Sequence, residues 1–587
     1  MNFLQLALLL LFSLSILPDK SATELFLELL DDHWEHTLRE NPLFATGQGD
    51  HRFNDQLPNT DLEAMEADYE SNKEFLRRLN AIPRDSVSSD HQVNFDIFRI
   101  QLENAIQNYE LNGHLLPLNG WWDYHASFAD LANRVPLNTL EDYENYLSRL
   151  RAFPAYNAGY IERLSRGAEI GFVRPKLVFD DYLESIEALI PGTAEESLLF
   201  DPFENFPAQI DEDARELLKE EAAEVIRNSV LAEFQKLYDF LAEEYLPAAS
   251  ETIGITDVPG GNAYYETLVK TYTTMEITAD EIHQTGLDEV ARIRAEMMEI
   301  VESEGFGNDF DAFTEYLRTD ERFYAKTPEE LMKETALVLK KMDGKLPELF
   351  KTLPRLPYGI IEVPDYLAPR TATAYYSRGT SDGTKAGNYA VNTYDLSSRP
   401  LYEVTALSLH EAVPGHHLQI ALQQELEGLP KFRRAASFTA YTEGWALYSE
   451  RLGLEVGFYD DPYQNFGRLS YEMWRALRLV VDTGMHAKRW TREESVDYMA
   501  ANSALSLHNI RSEVNRYIFW PGQALAYKMG EIKIRELRDM AENELGSKFD
   551  VREFHDVVLL SGAVPLIVLE QNVVNWIEQV AVQQTDS

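Results

Sequence analysis

Three histidines and a glutamate lie within eight consecutive residues, 410–417. His410 is followed directly by Glu411, and His416 and His417 end the segment. Zinc prefers imidazole nitrogens and carboxylate oxygens when no thiolate is present, and a glutamate beside a histidine ligand is the usual general base of helical zinc proteases. The segment therefore predicts a zinc site that performs hydrolysis.

The spacing of these histidines departs from the common helical motif, in which the two ligands are four residues apart. His416 follows His410 by six residues, which on a regular helix separates the side chains by about 120° and about 9 Å along the axis. Zinc–nitrogen bonds are about 2.0–2.1 Å long, so both rings must converge on one point. Pro414 and Gly415 predict the helix distortion that this convergence requires. His417 lies about 10.5 Å along the axis, and helix geometry favours His416 over it.

A third ligand must come from elsewhere in the chain, and residues 441–450 are the best source because they resemble a buried helix with acidic side chains. A buried carboxylate needs a partner, and a metal ion is one. Glu443 and Glu450 lie on the same helical face, so one could bind the metal and the other could support a ligand from behind. We predict Glu443 as the ligand, since Gly444 leaves room beside it and Arg451 offers Glu450 an ion-pair partner.

Helix signals dominate the remaining sequence. Thr278 opens a capping box before a long amphipathic segment, and Thr327 and Thr491 begin similar patterns with acidic first turns. The clearest strand signal is residues 387–394, shortly before the histidine segment. One predicted core-facing helical stripe consists of Tyr143, Tyr146, Leu147 and Leu150. We therefore expect a mainly α fold, a large helical peptidase with a small β-sheet near the active site.

The chain divides most naturally near the cluster Pro259-Gly260-Gly261. We predict a signal peptide over residues 1–22, an N-terminal helical subdomain over residues 23–255, and a C-terminal catalytic subdomain with the zinc site over residues 256–587.

The N-terminal segment combines an apolar run over residues 3–17 with a polar, small-residue flank. The run is too short for a comfortable membrane span and is typical of a signal peptide, which predicts a secreted or periplasmic protein; an uncleaved anchor is the alternative. The chain has no cysteine. It therefore forms no disulfide and carries no cysteine-linked lipid after the signal, and zinc must use histidine and carboxylate ligands.

The charge balance limits the partners. The chain has 53 basic and 98 acidic side chains, a formal net charge of −45. Such a surface repels nucleic-acid phosphates and anionic headgroups, so we expect neither nucleic acid nor stable membrane association after signal cleavage. A peptide substrate is the expected partner, and no pattern in the sequence indicates an oligomeric state.

Two ordered motifs resemble a known family. The pattern His-Glu-x-x-Pro-Gly-His-x-x-Gln at residues 410–419 and the pattern Glu-Gly-Trp-Ala-x-Tyr at residues 443–448 are similar to the hallmarks of the family called domain of unknown function 885. The further matching positions are 264–289, 374–376, 387–393, Arg478, Asp482, Gly484, His486, Trp490, Glu513, 516–517, 521–524 and 527–530. The resemblance covers most of the chain and implies a helical, gluzincin-like zinc peptidase. It also implies that the histidine ligand is His416, because the residue after it varies in the family motif.

The expected mechanism assigns Glu411 as general base toward a water on the metal. The tetrahedral intermediate needs a further donor, for which Tyr527 and His486 are candidates, although each could equally be a core residue. Arg516 or Arg478 could bind a substrate carboxylate in a forked geometry, which would make the enzyme a carboxypeptidase or dipeptidase. Ion pairs with acidic neighbours are the alternative for both arginines.

The predicted strand from Gly387 offers a second contact with substrate. Its backbone could pair with the substrate as an added strand, and Tyr389 and Asn392 are the candidate substrate-binding residues within it.

Three other functions remain open from the sequence. A zinc hydrolase of non-peptide amides or esters would use the same attacking group. A catalytically silent, zinc-stabilised peptide-binding protein would not need Glu411 beside His410. A helical scaffold without metal is the third alternative.

Overall fold

Helices make up most of the protein and surround one small β-sheet, which confirms the predicted fold class. The structure is a computed structural model that describes residues 20–120, 123–179, 182–364, 368, 372–380, 383 and 385–582. Most of the predicted signal peptide lies outside these residues. The described chain begins at a capping box in which Ser21 caps the first helix.

The helices follow one another along the chain with short connections. The first group is α1 (Ala22–Glu40), α2 (Pro42–Gly47), α3 (Leu62–Asn80), α4 (Ser89–Glu110), α5 (Tyr124–Ala129), α6 (Leu140–Ile170), α7 (Tyr182–Glu187), α8 (Glu212–Val225), α9 (Ala232–Phe240), α10 (Leu246–Ala248), α11 (Gly261–Thr273) and α12 (Ala279–Ser303). The second group is α13 (Phe310–Thr319), α14 (Pro328–Leu349), α15 (Leu401–Glu411), α16 (His416–Glu425), α17 (Lys431–Ala435), α18 (Thr439–Leu452), α19 (Pro462–Ala487), α20 (Arg492–Asn502), α21 (Leu507–Phe519), α22 (Leu525–Leu545), α23 (Val551–Leu559) and α24 (Leu566–Val582). Two π-helical turns, Ile226–Leu231 and Leu241–Tyr245, join α8, α9 and α10.

The predicted helix starts are confirmed. Thr278 forms a capping box before α12, and Thr491 forms one before α20. Thr327 caps α14, which has proline at its first position. Local side-chain hydrogen bonds specify these starts, which is why the sequence shows them.

The sheet has the strand order β1 (Tyr358–Glu362), β3 (Gly387–Val391), β2 (Ala374–Ser377). β3 runs parallel to β1 and antiparallel to β2, and Tyr389 lies opposite Ile360 on one side and Tyr376 on the other. The expectation that the segment from Gly387 accepts substrate as an added strand is wrong, because a strand bonded on both sides has no free edge.

The hydrophobic core crosses the predicted subdomain boundary. One buried cluster contains Phe153 and Phe234 together with Phe466. The other contains Phe98 together with Trp445. The segments 23–255 and 256–587 therefore share their cores. The predicted tyrosine-rich stripe of α6 is buried in the first cluster, as expected.

Four helices frame the histidine segment. α15 packs against α18 and α19, and α18 packs along α22. None of the helices in the described part of the chain combines the length and hydrophobicity that a membrane span requires.

Candidate metal centre

Three side chains converge at the junction of α15, α16 and α18. His410 Nε2 lies 3.5 Å from Glu443 Oε2, and His416 Nε2 lies 3.6 Å from the same oxygen. One ligand atom from each residue lies within 4.8 Å of the other two. The structure thus brings together the three predicted metal-binding residues, although Glu443 is far from the histidines in sequence.

The convergence depends on a break between two helices. α15 ends at Glu411 and α16 begins at His416, so the expected distortion is a complete interruption of the helix. The Val413–Pro414 peptide is cis, and the Gly415 amide donates to the Leu409 carbonyl at 2.9 Å. A Cβ atom on Gly415 would lie 1.9 Å from the His410 carbonyl oxygen, so only glycine fits there.

A tryptophan of α18 ties this break to the third ligand. Trp445 Nε1 donates to the Pro414 carbonyl at 2.9 Å. Trp445 is fully buried and lies two residues after Glu443. The same helix therefore holds both the turn and the carboxylate, and the two histidine helices are fixed relative to Glu443.

Glu450 lies behind His410 and fixes its orientation. His410 Nδ1 is 2.7 Å from Glu450 Oε1, which leaves Nε2 directed at Glu443. The same oxygen lies 3.5 Å from Arg475 Nη2, so Glu450 pairs with Arg475 rather than with the expected Arg451. A carboxylate behind a histidine in this way selects the tautomer and raises the basicity of the metal-facing nitrogen.

The electrostatics of the three residues suit a cation. Burial acts to raise the pKa of Glu443, but electrostatic attraction to His416 and close contacts with both histidine rings hold that pKa well below its usual range. Burial acts to lower the pKa of His410, but its contacts with the carboxylates of Glu443 and Glu450 outweigh burial and raise that pKa to about 9. A charged carboxylate therefore faces two imidazole rings.

The geometry also fits a zinc ion. Glu443 Oε2 is buried and has no hydrogen-bond partner among the described residues, which is rare for a carboxylate oxygen. In a tetrahedral site with zinc–ligand bonds of about 2.1 Å, ligand atoms are about 3.4 Å apart. The two separations of 3.5 and 3.6 Å are close to that value. The side chain of Glu443 keeps 21% of its surface exposed, so the site is open on one side.

His417 points away from this cluster. Its Nδ1 lies 2.9 Å from the Tyr376 hydroxyl, and its Nε2 lies 3.1 Å from the Leu356 carbonyl. Burial lowers the pKa of His417 to about 4, so the ring is neutral near pH 7. Both ring nitrogens of His417 therefore contact other residues of the protein, which agrees with the choice of His416 as the metal ligand.

Glu411 is buried at the end of α15, directly after His410. Burial, and next the negative charge of Glu411, raise the pKa of Tyr389 well above its usual range. Tyr389 is 1% exposed and lies on the central strand β3. This position places Tyr389 in the core near Glu411, so the structure does not support its predicted contact with substrate.

Tyr527, Arg478 and Arg516 form a second polar cluster. The hydroxyl of Tyr527 lies 3.3 Å from Arg516 Nη2, and the Arg478 guanidinium lies 4.5 Å from the centre of the Tyr527 ring. Both arginines pair with Glu513, at 3.1 Å for Arg478 and 3.7 Å for Arg516. Both arginines therefore form the ion pairs that were the alternative to binding a substrate carboxylate. Asp482, a nearby acidic residue of α19, accepts hydrogen bonds from the Tyr265 hydroxyl and the Gly522 amide.

Two predicted site residues are structural. His486 is fully buried, with Nδ1 accepting from the Ile255 amide at 3.1 Å and Nε2 lying 3.0 Å from the Tyr517 carbonyl. Asn392 is also fully buried and donates to the Ala368 carbonyl at 2.8 Å. Because backbone groups occupy both side chains, the structure does not support an oxyanion donor at His486 or a substrate contact at Asn392.

Sequence reasoning missed Arg475 and the roles of Trp445 and Gly444. The spacing of Glu443 and Glu450 signalled a supporting carboxylate, but no local pattern indicates that Arg475 reaches it. Gly444 leaves room for another helix rather than for the metal, since a Cβ there would lie 2.5 Å from Gly530 of α22.

A mainly α protein with a His–His–Glu cluster at a helix break is the class that the fold and the site define. The chain belongs to the family described as bacterial protein of unknown function, DUF885, which matches residues 42–573. A crystal structure described as the "putative lipoprotein" from Colwellia psychrerythraea is 30% identical, with a TM-score of 0.90, over 95% of this chain and 100% of that chain. A "putative lipoprotein of unknown function" from Shewanella oneidensis shares the fold at 17% identity and a TM-score of 0.69, over 92% of this chain and 98% of that one. No curated protein matches the chain.

Proposed function

We propose that this protein is a zinc-dependent peptidase that hydrolyses oligopeptides. The observation that carries the proposal is the convergence of His410, His416 and Glu443 on one open-sided point, with Glu411 directly beside the first histidine. A structural zinc site is closed and needs no acid–base residue, whereas a catalytic site keeps an open position and a base.

Each residue then has a distinct role. His410, His416 and Glu443 would hold the ion, and Glu450 with Arg475 keeps the ring of His410 in one orientation. When bound, zinc supplies a Lewis acid that polarises the scissile carbonyl and makes water acidic enough to attack it near neutral pH.

Side chains of the protein carry out the proton transfers. Glu411 accepts the proton of the attacking water and returns it to the leaving amine. The hydroxyl of Tyr527, which lies 3.3 Å from a guanidinium nitrogen of Arg516, is the remaining candidate donor to the carbonyl oxygen as charge develops there. Since Arg478 and Arg516 both pair with Glu513, the proposal gives neither a carboxylate-binding role.

The test compares the parent with Glu411→Gln. Zinc content is measured by mass spectrometry of the purified protein, and hydrolysis by a peptide-library digest with and without a chelator. We expect the variant to keep its zinc and to lose about 10²–10⁴-fold in rate, the usual contribution of a general base.

The exposed Glu427, in the loop after α16, provides the matched control. Glu427→Gln should hydrolyse peptides like the parent. Full activity of Glu411→Gln, or activity that resists the chelator, would contradict the mechanism. An ester and amide library run beside the peptides separates the non-peptide alternative, because a peptidase cleaves the peptide library faster.

We also propose that residues 1–22 direct export. The support is the short apolar run with its polar flank, together with the description of the Colwellia relative. Because the chain has no cysteine, the proposal includes no cysteine-linked lipid. Expression of the full chain in a bacterial host, followed by N-terminal mass determination of the exported protein, should show cleavage near residue 22; an intact N-terminus in the cytoplasmic fraction would contradict export.

A further inference from the structure

A cavity of about 440 Å³ lies between α3, α4, α6 and α11, and none of its lining residues belongs to the metal centre. Its size falls in the range of small-molecule sites, about 300–1,000 Å³. Two arginines, Arg163 and Arg174, line it. This is unusual on a protein whose formal net charge is −45, because acidic side chains are abundant and available to pair with them.

Arg174 is a buried cation that has no acidic partner among the residues the structure describes. It is 4% exposed, and it donates to two carbonyls, those of Leu118 at 3.1 Å and Leu116 at 3.4 Å. Its Nη1 atom is buried and has no hydrogen-bond partner among the described residues. A buried charge is costly unless it is paired, so a guanidinium in a cavity of this size indicates a place for an anion.

Arg163 adds a second positive charge to the lining of the same cavity. Its Nε donates to the His114 carbonyl at 2.7 Å, and it forms no ion pair with a described acidic side chain. Among the described residues that line the cavity, Asp68 is the only acidic one, and its Oδ2 accepts a hydrogen bond from the Asn72 amide at 3.0 Å. The charged side chains of the lining therefore sum to a single positive charge.

His114 adds a neutral polar group to the lining. Its Nδ1 is buried and has no partner among the described residues. Burial, and next the charge of Arg163, lower the pKa of His114 to about 4, so the ring is neutral near pH 7 and one nitrogen is available to a ligand.

Most of the other lining residues are aromatic or aliphatic, and Asn108 and Asn119 are the further polar side chains. Met65, Leu268, Tyr272 and Trp520 lie on its other walls, and the Trp520 indole nitrogen already donates to the Tyr272 hydroxyl at 2.6 Å. The polar tips of these rings are satisfied, so they present apolar surface. A ligand for this cavity needs one anionic group and one apolar group.

We propose that this cavity binds a small organic carboxylate that carries an aromatic or aliphatic side group, with Arg174 and Arg163 holding the carboxylate. A carboxylate fits better than a phosphate dianion because the lining offers a single net positive charge. Free carboxylates and the C-terminal residue of a peptide share this chemistry. The site is independent of the proposed zinc chemistry.

The test is isothermal titration calorimetry on the full protein in a chelator, so that hydrolysis at the metal centre contributes nothing. The probes are N-acetyl-L-phenylalanine, its neutral amide and phenyl phosphate. We expect the carboxylate to bind at least tenfold more tightly than either of the other two. Equal binding of carboxylate and amide, tighter binding of phenyl phosphate, or no binding of any probe would overturn the proposal.

Variants assign the site. Arg163→Gln and Arg174→Gln should each weaken binding of the carboxylate at least tenfold and leave the amide unchanged. Arg166→Gln, one turn along α6 and outside this cavity, should bind like the parent. If the buried Arg174 variant fails to fold, Arg163→Gln still tests the proposal. Parent-like binding of the carboxylate by a folded Arg163→Gln would contradict the assignment of this cavity as the binding site.

A last comparison separates the two sources of carboxylate. A pentapeptide that ends in phenylalanine is titrated beside N-acetyl-L-phenylalanine. Binding of both supports capture of peptide ends, and binding of the small probe alone supports a site for free carboxylates.

Discussion

His410 is the residue on which the candidate chemistry depends most, because it contacts groups on both sides. One ring nitrogen faces Glu443 and the other lies 2.7 Å from Glu450. Glu450 is 1% exposed, and the same oxygen that faces His410 lies 3.5 Å from Arg475 Nη2. Arg475 thus contacts Glu450, Glu450 contacts His410, and His410 faces Glu443, so each of these groups helps to position the next one.

We therefore predict that Glu450→Gln weakens zinc binding about 10–100-fold, the usual effect of losing a carboxylate behind a histidine ligand. Glutamine retains the shape and a hydrogen-bond acceptor but removes the charge that makes His410 more basic. Competition with a chromophoric chelator measures the affinity. Glu455→Gln removes a carboxylate of the same length that pairs with Arg538 at the surface, and it should bind zinc like the parent. An unchanged affinity in Glu450→Gln would show that Glu450 does not tune the ligand.

At the scale of elements, the crossing of α18 and α22 positions the third ligand. A Cβ on Gly444 would lie 2.5 Å from the backbone of Gly530, and one on Gly530 would lie 1.9 Å from the Ala440 carbonyl oxygen. The two helices therefore touch backbone to backbone at the residue next to Glu443. Their separation sets where the carboxylate lies relative to the histidines.

Gly444→Ala should push these helices apart, lower the stability by about 1–3 kcal/mol as overpacked substitutions do, and reduce the zinc retained after purification. Thermal unfolding and metal analysis measure the two effects. Gly344→Ala in α14 is the control, since an added Cβ there meets nothing within 4 Å. That variant should gain about 0.5–1 kcal/mol from the loss of glycine in a helix. Parent-like stability of Gly444→Ala would mean that the crossing tolerates a side chain.

The elements also show how far the sequence could predict the structure. Capping boxes at Thr278 and Thr491 gave correct helix starts because their hydrogen bonds are local. The strand from Gly387 was found, but its central place was not, because periodicity shows which residues alternate and not which strands pair. The ligand spacing required a helix distortion at Gly415, whereas the contact of Arg475 with Glu450 is long-range and leaves no pattern in the chain.

Across the whole molecule, buried neutral histidines connect distant segments. His486 joins α19 to residue 255 and α21, and His555 joins α23 to the end of α14 and to Tyr448 of α18. Burial lowers the pKa of His486 to about 4 and that of His555 to about 3. Protonation of either ring would break a contact between segments that share a core.

The stability of the fold should therefore fall as the pH falls from about 6.5 to 4, because in that window the unfolded chain binds protons that the folded chain does not. A shift of the size found for His486 corresponds to about 3 kcal/mol when the window has been crossed. Asp482 and Glu403 act in the opposite sense, since burial raises the pKa of each to about 7. The difference in stability between the parent and a variant of His486 therefore isolates the contribution of that one ring.

His486→Gln should lose stability at pH 8, where the neutral ring is most favourable, and should depend less steeply on pH between 6.5 and 4, by up to about 1.4 kcal/mol per pH unit. Urea unfolding followed by circular dichroism at pH 8, 7, 6 and 5 gives both values. The variant should retain zinc and hydrolyse peptides at pH 8, because both ring nitrogens of His486 bond backbone groups. A folded variant with intact zinc and no hydrolysis would instead return His486 to the reaction as a donor.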